Sequence, residues 1–124
     1  MSKTFILIKP DAIERGLVGE IITRIEKAGF NIKLIKSMQA TERKLEAHYS
    51  HIVDKPFFND LVEYMTRTKV ICLVVEAPNA VARWRKLMGA TNPAAADLGS
   101  IRGDWGIGFG AKMENLVQGS DPDS

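Results

Sequence analysis

Residues 70–89 read VICLVVEAPNAVARWRKLMG, and the way this stretch divides decides the fold. Val70 to Glu76 is apolar up to Val75 and largely β-branched, with no glycine or proline, the composition of a strand. Asn79 then stands where a helix cap belongs. Val81, Trp84 and Met88 follow as an apolar stripe, and Gly89 stands where the helix would stop.

Working outward, TFILIKP gives a buried strand over residues 4–9, ended by Pro10 and leaving Lys9 at its C-terminal end. From Leu17 to Ala28 the residues Val18, Ile21, Ile22, Ile25 and Ala28 recur at three- and four-residue steps before Gly29, which predicts an amphipathic helix. NIKLIKSMQA alternates apolar residues with lysines, less cleanly towards Met38, and predicts a strand with one covered face. Residues 42–52 read as a helix capped by Thr41, and Pro56 opens a second in which Phe57, Leu61 and Tyr64 or Met65 share a face. Beyond Gly89, TNPAAADLGSIRGDWGIGFG reads as a long ordered loop, and a short strand follows around 115–118. The order predicts an α/β (α+β) chain: a ferredoxin-like sandwich of four antiparallel strands with helices packed on one face.

A length of 124 residues fits a single domain, residues 1–124. Seventeen basic against fifteen acidic residues, a formal charge of +2, is too balanced for a chain that coats nucleic acid by charge. RNA-binding sheets of this topology expose aromatics on their strands, and Phe5 is the only aromatic in the predicted strands, so nucleic acid is the least expected partner. Cys72 is the sole cysteine and lies in an apolar run, so a buried, reduced thiol and a cytoplasmic location are expected. No apolar run approaches the ~20 residues that span a bilayer, and the N-terminus has no signal-peptide pattern.

Lys9, Arg85 and Arg102, with Thr91, distribute three cations and a hydroxyl over a strand end, a helix and a turn. That is the inventory a polyphosphate demands, arginine giving forked donors and lysine a point charge. Phe57 and Leu61 are spaced to hold a flat ring, although apolar pairs at this spacing usually pack inward. Asn115 offers an amide suited to sugar hydroxyls, and Gln118 delivers another amide into a Gly-Ser-Asp turn. His48 and His51 flank Tyr49 on the predicted helix, where surface or packing roles are the ordinary ones. The sequence holds no carboxylate cluster of metal-ligand spacing.

IKPDAIERGLVGEII, HYSHIVDKPFF, GATNPAAADLGSIRGDWG and NLVQGSD resemble, in order and over nearly all of residues 4–121, the nucleoside diphosphate kinase family. The resemblance implies transfer of a γ-phosphate between nucleoside triphosphates and diphosphates through a phosphohistidine, on a hexamer or tetramer. Magnesium would be carried on the nucleotide's own phosphates. It assigns Lys9 and Tyr49 to the neighbourhood of the transferred phosphate, Arg85, Thr91 and Arg102 to the outer phosphates, and Phe57 and Leu61 to the base. Asn115 is assigned to the ribose and Ser120 to the nucleophile turn.

The position of the phosphorylated histidine is Gln118. An amide nitrogen has a delocalised lone pair and the amide oxygen is a poor nucleophile, so the covalent relay is expected to be lost or severely impaired. Two further departures from the family pattern are expected to matter. WGIGFGAKME lengthens the segment between Arg102 and Asn115 by three residues, and the chain ends at Ser124, before a C-terminal segment whose glutamate orients the histidine. The expected function is therefore a nucleotide-binding protein of this type. The alternatives are a kinase active by another histidine or by direct transfer, and a non-catalytic structural or regulatory subunit.

Overall fold

The unbroken apolar run at residues 70–75 has its cause in the computed structural model, where helices cover both sides of that strand. The structure describes residues 1–92, 95–105 and 116–119, with the side chain of His48 excepted. Strands β1 (Ser2–Ile8), β2 (Asn31–Met38), β3 (Val70–Ala77) and β4 (Val117–Gly119) form one antiparallel sheet in the order β2-β3-β1-β4. That order interleaves two split βαβ units, the ferredoxin-like arrangement expected. The helices are α1 (Pro10–Glu14), α2 (Val18–Lys27), α3 (Glu42–His48), α4 (Phe58–Met65), α5 (Ala80–Met88) and α6 (Ile101–Trp105).

Residues along a strand alternate between faces, and here both sets are apolar. Ile6, Ile8, Leu73 and Val75 meet Ile21, Ile25, Trp84, Met88 and Ile101 from α2, α5 and α6 on one face. Leu7 and Cys72, one residue out of phase, pack with Leu45, Leu61, Tyr64 and Met65 from α3 and α4 on the other. Helices on one face only is thus corrected: the helical pair takes the second face, because both sets of alternate strand residues need cover. Cys72 is buried beside the Met38 sulfur, and burial pushes its thiol up, with Lys36 opposing.

Several boundaries follow from local chemistry. α2 ends in a turn that leaves Gly29 at φ +92 with its N–H donating to Glu26, while the Phe30 N–H reaches back to Ile25. Only glycine adopts that φ without strain. Thr41 caps α3 as expected, its hydroxyl accepting from the Lys44 N–H at 3.2 Å. The helix predicted over 42–52 stops at His48 and a 3-10 turn, Ser50–Ile52, continues it.

Asn79 does occupy the cap position of α5, but its side chain makes no cap bond; it takes the left-handed conformation that asparagine tolerates. Ser2 Oγ accepts the Ala80 N–H at 2.9 Å instead. The strand over 4–9 is really Ser2–Ile8, and Pro10 does more than end it: it is the first residue of α1, where its fixed φ suits a helix. The alternation of β2 is broken by a register shift between Ile32 and Leu34.

Candidate functional site

Arg85 follows the buried Trp84 on α5 and is therefore turned outward, at the flank of the core stripe. Arg102 is carried by α6, a helix that the sequence disguises as loop because it is short and contains Gly103. α6 is fixed by Ile101 in the core and by Asp104, which accepts the Gly99 N–H at 2.8 Å and pairs with Arg24 at 2.6 Å. The Gly99 N–H, and then Arg24, hold the Asp104 carboxyl below its ordinary range. Between α5 and α6 lies a cavity of about 350 Å³ lined by Arg85, Lys86, Thr91, Ser100 and Arg102 among others.

Arg102 is 4 % exposed, and its two forks tie the cavity to the sheet. Nη1 donates to the Gly89 carbonyl at 3.2 Å, at the end of α5, and Nη2 to the Val117 carbonyl of β4 at 2.6 Å. Burial pushes the guanidinium down to about 10, opposed by Tyr64 and Asp11. It stays charged at neutral pH.

The chain entering β4 is clamped on both sides. Leu116 is held at φ 74, a conformation that costs a leucine about 1–2 kcal/mol. Its N–H donates to Asp11 Oδ2 at 3.1 Å and its carbonyl accepts from the Lys9 N–H at 2.8 Å. The second oxygen of Asp11 accepts the Tyr64 hydroxyl, whose ring lies 5.5 Å below the Lys9 ammonium. Gly119 presses against Trp84: a Cβ there would sit 2.8 Å from both Cδ1 and Nε1 of the indole. Gly119→Ala is therefore expected to cost about 1–3 kcal/mol, seen as a thermal midpoint lower by about 4–12 °C. An unchanged midpoint would contradict this close approach.

Gln118 lies between these two contacts. Val117 and Gly119 face the α5 side, so Gln118, paired with Leu7, emerges beside the helical pair, half-buried. The Tyr49 hydroxyl donates to its Oε1 at 3.3 Å. His51 is exposed, with its ring centroid 6.4 Å from that of Tyr49.

Of the expected site residues, the structure groups Arg85, Thr91 and Arg102 around the cavity, and pairs Tyr49 with Gln118 on β4, the strand whose Val117 carbonyl accepts from Arg102. Lys9 is buried and joined to the same strand. Phe57 and Leu61 part company: Phe57 is 46 % exposed just before α4, while Leu61 is buried in the cluster under the helical pair. Asn115, Ser120, the segment after Trp105 and the His48 side chain lie outside the described residues. Asp11, Tyr64 and Trp84 were not among the expected site residues. A tyrosine on the apolar face of α4 is the signal for the first two, since a buried hydroxyl requires a partner.

A nucleoside diphosphate kinase family model matches residues 2–124. The chain belongs to the nucleoside diphosphate kinase family. The nucleoside diphosphate kinase of Geotalea daltonii is 50% identical over 121 residues, covering 98% of this chain and 86% of that one. Among solved structures, the enzyme of Encephalitozoon cuniculi superposes with TM-score 0.89 at 44% identity, covering 98% and 80% of the two chains. A halophilic relative from Halobacterium salinarum, solved in complex with CDP, gives 0.89 at 41% identity, covering 99% and 79%. The four-stranded antiparallel sheet with its helices is the fold these family members share. The family is by its name one of nucleotide-binding kinases, hence transferases.

Proposed function

We propose that this chain binds nucleoside di- and triphosphates in the cavity between α5 and α6 and does not relay phosphate through a phosphoenzyme. The observation that carries the reading is a cationic cavity lined by Arg85, Lys86 and Arg102, in which Arg102 is bonded to β4, the strand that carries Gln118 at the position the family resemblance gives to a histidine. Arg85 and Arg102 supply forked donors and Thr91 a hydroxyl, which suits successive phosphates. The CDP complex of the Halobacterium relative supports nucleotide as the occupant. Lys9 and Tyr49 serve the terminal phosphate in this reading, and the exposed Phe57 ring offers a face to the base.

Asp97 is the only carboxylate among the described cavity-lining residues, which is a poor cage for a divalent ion. Magnesium therefore fits as a passenger on the nucleotide's phosphates. The reading treats residues 1–124 as one domain and places it in the cytoplasm, where nucleotides are abundant and a buried thiol stays reduced. No helix among the described residues is long and apolar enough to cross a membrane. Assembly into a homo-oligomer is part of the same proposal: Leu34 and Ile35 stand half-exposed on the edge strand β2. Sedimentation as a monomer at micromolar concentration would remove it.

Calorimetric titration with ADP and magnesium tests the central point. Arg85→Ala is expected to weaken ADP by about tenfold or more, the worth of a charge-assisted hydrogen bond. Because Arg85 is exposed, the thermal midpoint should move by no more than about 2 °C. Absence of ADP binding to the unaltered chain at millimolar nucleotide would sink the proposal.

A further inference from the structure

We propose that Arg24, which lies on α2 outside the cavity, is a positioning residue for nucleotide, fixing α6 and the turn before it and through them the guanidinium of Arg102. The inference rests on the cavity between α5 and α6 being a nucleotide site, and goes beyond it by naming a remote residue on which that site's affinity depends.

Arg102 stands on a helix that cannot hold its own shape. Its five residues are far fewer than the roughly 12–15 at which an isolated helix becomes even marginal in water. Gly103 in its middle weakens it further and has no substitute, since a Cβ there would collide with the Asp97 carbonyl. α6 therefore takes its position from its contacts.

One guanidinium supplies three of them. Arg24 Nη1 donates to the Gly99 carbonyl at 3.1 Å, Nη2 pairs with Asp104 Oδ2 at 2.6 Å, and Cζ lies over the Trp105 ring, 4.1 Å from its centroid. These contacts run from the turn before α6 to its last residue. Gly99 belongs to the stretch from Asp97 to Ser100, and both of those residues line the cavity. Arg15 Nη1 steadies the same helix end by donating to the Trp105 carbonyl at 2.6 Å. Arg24 is not among the described lining residues, so its influence passes through α6. Lysine is no replacement, because an ammonium is a point charge that neither donates as a fork nor stacks flat on an indole.

The test is calorimetric titration of the full chain with ADP and magnesium well below the thermal midpoint, with far-UV dichroism showing each variant folded. The side chains of Arg24 and Asp104 are 31 % and 24 % exposed, so altering either leaves no fully buried charge behind. Arg24→Ala is expected to weaken ADP by about threefold or more, the size usual for a residue that acts on a site through others. Arg24→Lys keeps the charge without the fork and should remain about twofold or more weaker than the unaltered chain. Asp104→Asn is the sharper variant, because its amide oxygen can still accept the Gly99 N–H while the chain loses a negative charge. A long-range charge effect would tighten ADP. Positioning by the pair predicts ADP weaker by about twofold or more, with no further loss when Asp104→Asn is added to Arg24→Ala. Unchanged ADP affinity in Arg24→Ala, full recovery in Arg24→Lys, or tighter ADP in Asp104→Asn would each overturn this inference and leave the nucleotide site standing. Absence of ADP binding to the unaltered chain would overturn both.

Discussion

Gln118→His is expected to raise transfer of phosphate from ATP to a second nucleoside diphosphate by at least about a thousandfold, because removing or restoring a covalent nucleophile changes turnover by factors of this order or larger. An imidazole is partly unprotonated near neutral pH and has an in-plane lone pair, whereas the amide it replaces has neither a basic nitrogen nor a usable anion. Part of the surroundings is already in place: Tyr49 is within hydrogen-bond reach of the position 118 side chain, Arg102 is fixed to Val117, and the Leu116 clamp is independent of residue 118. The gain is measured in a coupled assay of triphosphate formation, with nucleotide affinity followed in parallel. No gain with binding intact would mean that position 118 is not aimed at the phosphate.

Asp11→Ala is expected to be the most destabilising single change in the site. It leaves the Leu116 N–H and the Tyr64 hydroxyl, both buried, without their acceptor. At about 1–3 kcal/mol for each of the two orphaned groups, the loss is about 2–6 kcal/mol, against a total of about 5–15 for a typical domain. It also removes a carboxylate that favours the charged form of the buried Arg102 guanidinium. Urea denaturation should show a midpoint shift with unchanged slope. Tyr64→Phe, which leaves one oxygen of Asp11 without its donor while the other keeps the Leu116 N–H, should cost less, about 1–3 kcal/mol. A midpoint for Asp11→Ala equal to that of the unaltered chain would remove the clamp from this account.

What was legible in the sequence was whatever is written in periodicity and residue type. The stripes Ile21/Ile25 and Trp84/Met88, the Gly29 stop and the Thr41 cap all appear where spacing puts them. The cations Arg85 and Arg102 were readable as a polyphosphate set because guanidinium chemistry is specific, and the cavity brings them together.

What was hidden depends on tertiary contact. Asp11 looks like any helix-start carboxylate until Leu116, over a hundred residues on, is seen to donate to it. Five residues of α6 are too few to show a period, and Gly103 points away from helix. Covering the second face with α3 and α4 was implicit in the unbroken apolar run of β3, whose two parities need two partners. The division of Phe57 from Leu61 had no such sign, since four-residue spacing says that two side chains are neighbours and not which of them is covered.

The central claim is that a cradle for nucleotide phosphates persists around a side chain that cannot accept one. Incubation of the unaltered chain with γ-labelled ATP and magnesium, followed by denaturation and counting of protein-bound label beside nucleotide bound at equilibrium, tests it most directly. The account predicts saturable nucleotide binding with no covalent label above background. Stoichiometric, acid-labile and base-stable phosphate on the protein, above all if His51→Gln abolished it, would contradict the account.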